Sequence, residues 1–532
     1  MIYSSVTSAK DTTLIPLFTD GKSMYSRYSP QKEAEKYACI TEKNKAFFLV
    51  TGLGNGLHLR TLLKKYPNSY FFVVENSLED YEWLKNHFDL EDIIYHPHIH
   101  ITFLDYFIPK LKQTYIPQLH GDFVYAPLRS WLDQIQKNDC NFSKKLEEYI
   151  SELSSDMATQ AHFGKQWFGN FFTNLACIFD KQTTIKTTAS KVIITAAGPS
   201  LEQFLPQIQA KKQTSDYFLI ATDTSVPVLR KWGIHPDVAV CIDSQIHSKN
   251  HFFIDSSSKE HLKNTIFAFD LCVSPSVVAT VRAKGSEIFF FRNNNPLSTL
   301  FSRFITQNAD QEIPLLNTGG GTVTSAAFDL AHHLGFTDIE VFGADFAYID
   351  GKPYCKGTYF EDLFSVSCDR ISPLDKKYTD LLYRLPTTRL QNQSITTGIL
   401  QNYKKSFYEY VQSHTDIMCQ VQGMTIQKKN TTYKPSKQTL TEYKCLTSKI
   451  TKKHAQNFIL FYTKELNRLS SLTDTFFDEN ITSIKDLLTI SEIIPSLLPL
   501  FSWDIKKNNT EKSFLRIIKL AYSYMIRYTD TL

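Results

Sequence analysis

A chain of 532 residues is too long for one ordinary hydrophobic core, so several domains are expected. Its 42% hydrophobic and 21% charged residues are those of a soluble globular protein, and 58 basic against 54 acidic residues leave a net charge of only +4, which gives no reason to expect nucleic acid or a membrane surface as a partner. The 9 cysteines contain no Cys-x-x-Cys pair and suggest neither a disulfide framework nor a zinc site, so a cytoplasmic location is expected.

The chain opens without a basic region followed by an apolar core, so no signal peptide is expected. Ser29-Pro30 offers a cap and a first-turn proline, which predicts a helix from there. Ala46–Val50 reads as a buried strand, Gly52-Leu53-Gly54-Asn55-Gly56 as a tight turn, Leu57–Lys65 as a helix and Tyr70–Val74 as a parallel strand ending at Glu75. That unit suits a cofactor phosphate at the helix start and ribose at Glu75. Its Gly-x-Gly-x-Gly spacing is not the dinucleotide fingerprint, and tight helix–strand packing explains the glycines equally well.

Residues 144–179 carry apolar side chains at helical spacing, which predicts one long connecting helix. Gln182–Ser190 is polar and β-branched and reads as a linker. Strands are then expected at Val192–Ala196, Phe218–Ala221, Val238–Ile242, Ile266–Phe269, Ile288–Phe291 and Ile339–Phe342, with helices between them, notably Ser225–Trp232, Ser274–Lys284 and Thr322–Leu334. Glycine nearly vanishes after about Lys405, where Tyr408–Gln422 and Lys437–Leu532 read as helices with loops near 478–480 and 507–510. The apolar run Ile493–Phe501 is too short to span a membrane and contains two prolines.

The fold class is therefore α/β: a central Rossmann-like, doubly wound, mostly parallel sheet, a smaller N-terminal α/β domain and a C-terminal helical bundle. The expected domains are 1–143, a connecting helix and linker 144–190, a central domain 191–405 and a helical domain 406–532.

Ligands of such sheets bind beyond the carboxyl ends of the strands. There lie Ala197-Gly198-Pro199-Ser200, where a small residue lets the main chain approach a ligand and Ser200 can cap the next helix. Asp223-Thr224 and Asp243-Ser244 end two neighbouring strands, where the acids could contact a base and ribose, hold a metal, cap a helix or solvate a loop. Thr318-Gly319-Gly320-Gly321-Thr322 offers free amides for an anion but lacks the Gly-Lys-Ser/Thr of a P-loop. Asp345 ends the last strand, where a buried carboxylate would organise the loop amides of a catalytic site, and Tyr348 and Tyr354 follow on either side of Gly351, as hydrogen-bond donors to a leaving phosphate or as packing aromatics. His332-His333 lies within a helix and lacks a third metal ligand, so no metal site is assigned.

These elements resemble the motility accessory factor (Maf) flagellin glycosyltransferases. The resemblance rests on Ser26-Arg27-Tyr28-Ser29-Pro30, Gly52-Leu53-Gly54-Asn55-Gly56-Leu57-His58-Leu59, Ala197-Gly198-Pro199-Ser200-Leu201, Asp223-Thr224-Ser225, Gly233-Ile234-His235-Pro236-Asp237, the glycine run, and Gly343-Ala344-Asp345-Phe346-Ala347-Tyr348. It covers roughly residues 20–405, and the central block is also similar to bacterial sialyltransferases that use CMP-nonulosonic acids.

The resemblance implies transfer of a pseudaminic or legionaminic type sugar from its CMP donor to Ser or Thr of flagellin, without a metal or bound cofactor. Flagellin, alone or with its export chaperone, would be the partner. It places Gly198, Pro199, Ser200, Asp223 and Asp243 at the nucleotide, although the sialyltransferases have asparagines at the two acids. It places the glycine run and Thr322 at the sugar carboxylate or phosphate, and Tyr348 and Tyr354 at the departing phosphate. The histidine base of those enzymes has no counterpart in Lys376–Lys405, so the base is unassigned, with Asp375, Asp380 and the leaving phosphate itself as the alternatives. A non-catalytic flagellin-binding factor, a pterin diphosphokinase-like enzyme and a methyltransferase using the N-terminal glycine turn are the alternatives.

Overall fold

The computed structural model describes all residues except 42–45, 139–140, 179–182, 253–263, 309–312, 319–320, 429–443, 482, 509–512 and 530–532. The chain divides into two compact units, one of Met1–Lys165 with Lys464–Ser523, the other of Gln166–Thr463 with Tyr524–Leu532.

The first unit opens with an antiparallel hairpin, β1 (Tyr3–Ser8) and β2 (Leu14–Phe18). A parallel sheet follows, made of β3 (Ala46–Thr51), β4 (Tyr70–Glu75), β5 (Ile99–Phe103) and β6 (Asp122–Ala126) in the order β5-β4-β3-β6. The two middle strands are buried along their whole length, as their unbroken apolar runs require. The expected helices are present at Pro30–Tyr37 and Leu57–Lys65.

The glycine turn between β3 and its helix is filled by side chains. A Cβ at Gly52 would lie 2.6 Å from Trp131 Cδ1, and one at Gly54 2.3 Å from the Tyr25 hydroxyl. Glu75 is fully buried and accepts from the Leu53 amide (2.7 Å) and Trp131 Nε1 (2.8 Å). The turn is thus a packing device, and the acid that would hold a ribose is engaged inside the core.

Helices Asp474–Asn480, Ile484–Ile490 and Ile494–Asn508, and the helix Phe514–Thr529 as far as Ser523, also belong to this unit. The loop expected at 478–480 is the end of a helix, which Thr473 starts by accepting from the Phe476 amide (3.2 Å). Of the loop expected at 507–510, Lys507 and Asn508 are still helical, and 509–510 lie outside the described residues.

The second unit contains β7 (Thr183–Thr187), β8 (Lys191–Thr195), β9 (Tyr217–Thr222), β10 (Val238–Cys241), β11 (Ile266–Asp270), β12 (Glu287–Phe291), β13 (Asp338–Phe342), the hairpin β14 (Thr387–Arg389) and β15 (Ile395–Thr397), β16 (Met418–Val421), β17 (Met424–Gln427) and β18 (Lys444–Ser448). Eight strands form one sheet in the order β12-β11-β10-β9-β8-β13-β16-β17, parallel except for β17. Strand order reverses between β8 and β13, which makes their carboxyl ends the switch point of a doubly wound sheet.

Three expectations need correction here. The stretch read as a linker contains β7, which pairs antiparallel with β18 so that Thr183 stands opposite Ser448. Its β-branched residues and the fully buried Ile185 favour a strand. The helix expected over Tyr408–Gln422 runs instead from Gly398 to Ser413 and is followed by the β16–β17 hairpin. Cys419 and Val421 point inward at alternate positions, while Gln422 and Gly423 turn the chain at φ 53° and 78°. Finally, Lys444–Ser448, read as helix, is β18.

Among the described residues no helix is long and apolar enough to cross a membrane.

Candidate functional site

The two loops at the switch point meet backbone to backbone. The Gly198 amide donates to the Gly343 carbonyl (2.8 Å) and the Ala196 amide to the Phe342 carbonyl (2.8 Å). No larger residue fits this approach. A Cβ on Gly198 would stand 2.5 Å from the Gly343 carbonyl oxygen, and one on Gly343, at φ 76°, 2.3 Å from the Ala196 carbonyl oxygen.

Asp345 locks the arrangement. Its Oδ2 accepts from the Ser200 amide (2.8 Å), and its Oδ1 accepts from Ser200 Oγ (2.5 Å) and from Gln422 Nε2. Burial holds this carboxyl above its usual range, against the pull of those donors. The Ser200 hydroxyl therefore goes to Asp345 and does not cap the helix Leu201–Lys212. Gln422 comes from the turn after β16, so a residue of the corrected hairpin completes the clamp.

Beside the clamp lies a cavity of about 260 Å³. Ala197, Gly198, Asp223, Thr224, Gly321, Thr322, Asp345, Tyr348 and Tyr354 all line it, with Leu400 and Tyr403 from the helix Gly398–Ser413. Asp223 is buried and accepts from the Thr224 amide (2.7 Å) and hydroxyl (3.1 Å). Thr322 accepts from the Thr324 amide (3.2 Å) and so starts the helix Val323–His333.

Tyr348 exchanges backbone hydrogen bonds with Ile395 (2.6 and 2.9 Å), which ties the tyrosine loop to β15. The Tyr354 ring stacks on Phe360 at 4.7 Å, and burial raises its phenol, as it does that of Tyr348. Both are neutral donors near pH 7. Phe346, between clamp and tyrosines, holds a left-handed backbone at φ 51°.

Other expected residues lie near the cavity but not on its wall. Pro199 and Ser200 stand behind it. Asp243 accepts from the Gln245 amide (2.9 Å) and Ser248 Oγ (2.6 Å), and burial raises its carboxyl. The Ser244 carbonyl accepts from Asn170 (2.9 Å). Thr318 precedes the wall at Gly321, and its carbonyl accepts from the Gly321 amide (2.8 Å). Gly319 and Gly320 lie outside the described residues.

Sequence reasoning missed three residues here. Gln422 has no local signal. Tyr403 was within reach, because Thr397-Gly398 is a helix start, with Thr397 accepting from the Leu400 amide (3.3 Å). His251 is buried, its ring centroid 4.6 Å from that of Tyr359, and its Nδ1 has no hydrogen-bond partner among the described residues. Burial pulls this imidazole below its usual range, although the Asp223 and Asp243 charges oppose that shift.

Three comparisons bear on this geometry. A family model described as 6-hydroxymethylpterin diphosphokinase MptE-like matches residues 167–351. Two uncharacterized proteins of Treponema pallidum (strain Nichols) are similar: one is 37% identical over 26% of this chain and 49% of its own length, the other 31% identical over 26% of this chain and 65% of its own. The chain thus spans between about half and two thirds of the length of these relatives. The Maf glycosyltransferase from Magnetospirillum magneticum AMB-1 shares the fold, with a TM-score of 0.61 at 13% identity over 100% of this chain and 93% of that one.

Proposed function

We propose that this chain is a glycosyltransferase that moves a nonulosonic acid of pseudaminic or legionaminic type from a CMP-sugar to Ser or Thr of flagellin, a step in flagellum assembly and motility. The observation that carries this reading is the switch-point cavity, where Asp223, the loop around Gly198, the helix start at Thr322 and the tyrosines Tyr348 and Tyr354 line one space. The whole-chain likeness in fold to a glycosyltransferase supports it.

In this reading Asp223 accepts from ribose hydroxyls, Gly198, having no side chain, lets the ligand lie against the main chain, and the helix start at Thr322 faces the phosphate and the sugar carboxylate. Tyr348 and Tyr354 donate to the departing CMP phosphate as the glycosidic bond breaks, so preorganised donors meet the charge where it develops. Asp345 is a positioning residue, since its oxygens are taken by the clamp. The acceptor hydroxyl loses its proton as it attacks the anomeric carbon. His251, neutral near pH 7 and beside Asp223 and Asp243, is the nearby imidazole that can take it. CMP-sugar and unexported flagellin would both be met in the cytoplasm.

The test is the intact mass of flagellin co-expressed with this protein in a host verified to make the donor. The expected result is a mass gain in whole nonulosonate increments. An unchanged mass would remove the transferase reading. The matched family model favours a second reading, transfer of diphosphate from ATP to a hydroxymethylpterin. Production of the pterin diphosphate by the purified chain, with no glycosylation of flagellin, would establish that one instead.

A further inference from the structure

Helices Val323–His333 and Gly398–Ser413 both begin at the cavity, where Thr324 and Tyr403 line its wall. Their far ends converge on Asp329, His332 and His414. One ring nitrogen of each histidine and one carboxylate oxygen of Asp329 all lie within 4.8 Å of one another. The two imidazoles meet edge to face, with centroids 4.5 Å apart.

Two of these side chains, His414 and Asp329, are already oriented as metal ligands would be. His414 Nδ1 lies 2.8 Å from the Tyr410 carbonyl. A carbonyl only accepts, so Nδ1 carries the proton and Nε2 keeps its lone pair, the arrangement that ligating histidines show. Asp329 Oδ1 accepts from the Tyr410 hydroxyl (2.6 Å) and Oδ2 from the Asn317 amide (2.6 Å), which fixes the carboxylate and leaves lone pairs on both oxygens.

Asp416 Oδ2 lies 3.5 Å from His332 Nε2. That is long for a hydrogen bond, but it is close to the separation of about 3.4 Å between two ligands of one tetrahedral ion with bonds of about 2.1 Å. His332 is in the last turn of its helix and His414 caps the end of the other, where the helix carbonyls favour a cation.

We propose that Asp329, His332 and His414, with Asp416 as the fourth ligand, bind one divalent transition-metal ion. Two imidazoles and two carboxylates in a tetrahedron make zinc the fitting metal. The side chains of His332 and Asp416 are 30% and 47% exposed, which leaves them free to close onto the ion. The ion joins two helices whose first turns line the cavity, a bracing role independent of which group is transferred there.

The experiment uses the full chain stripped with a chelator, then titrated with zinc(II) alone and, separately, with cobalt(II). One zinc per chain and the intense visible absorption of tetrahedral cobalt(II) are expected. His332→Gln and His414→Gln should each weaken zinc binding by at least about a hundredfold, and Tyr410→Phe, which removes no ligand, by about tenfold. His332→Gln is the informative variant if His414→Gln fails to fold. A wild-type chain that takes up less than one zinc overturns the proposal, as does stoichiometric zinc retained by a folded His332→Gln variant.

Discussion

Replacing Gly198 with alanine tests the account of the switch point most directly. The added methyl would stand 2.4 Å from Asp345 Oδ2 and 2.5 Å from the Gly343 carbonyl oxygen, where ordinary contact begins at 3.4 Å. The carbonyl is backbone and cannot rotate away, so the β8 and β13 loops must part by about 1 Å. Overpacking of this kind costs about 1–3 kcal/mol. Losing the 2.8 Å hydrogen bond from the Gly198 amide to the Gly343 carbonyl adds about 1 kcal/mol. The expected destabilisation is therefore about 2–4 kcal/mol, read from urea unfolding. On the proposed function, affinity for CMP, read by calorimetry, should fall with it, because the parted loops form one wall of the cavity. A folded Gly198→Ala chain within about 0.5 kcal/mol of wild type would refute the close-approach argument.

Four further outcomes are expected. Tyr354→Phe keeps the stack on Phe360 and removes only the hydroxyl, so flagellin modification should slow by about 10²–10³ while CMP binding and unfolding midpoint stay unchanged. Equal loss of CMP binding would place that hydroxyl on the ground-state nucleotide. Asn174→Ala removes a buried amide that donates to the Leu271 and Val273 carbonyls (2.9 Å each) and should destabilise by about 2 kcal/mol in urea unfolding. Glu75 is buried and raised from 4.5 to about 7, so the folded state holds a proton that the unfolded chain releases, and stability falls as pH rises from 4.5 to 7. Glu75→Gln should therefore gain up to about 3 kcal/mol on wild type across that window, seen as a converging or crossing pair of thermal melts. His58 acts oppositely: lowered from 6.5 to about 4, it withdraws stability as pH falls through that range, and His58→Gln should lose less than wild type on acidification.

The central strands are legible because each is a short apolar run buried on both faces, as in Val192-Ile193-Ile194 and Phe267-Ala268-Phe269. Their carboxyl ends then point to the cavity residues, since strand ends collect ligands in such sheets. β16 hides for the opposite reason. Met418-Cys419-Gln420-Val421 alternates over only four residues, directly after a helical pattern, and the turn that ends it rests on a left-handed Gln422. The Asp345–Gln422 bond joins positions 77 apart, and no local pattern names a partner at that distance. In the first unit, β5 and β6 are half-buried edge strands whose mixed residues, as in Ile99-His100-Ile101-Thr102, give a weak signal. The glycine turn shows the reverse failure. Its pattern is plain, but only the structure reveals that Trp131, Met24 and Tyr25 occupy the space a cofactor would need.

The β7–β18 ladder has a consequence for how the chain can be cut. Because Thr183 stands opposite Ser448, the segment holding the sheet and cavity enters and leaves through one two-stranded port. The port alone does not mark where to cut, because Asn174, from the helix before β7, donates to the Leu271 and Val273 carbonyls, so the compact unit begins at Gln166 and runs past the port to Thr463. An excision ending near residue 405 would discard β16, the Gln422 clamp and half of the port. One running from before Thr183 to beyond Ser448 keeps all three.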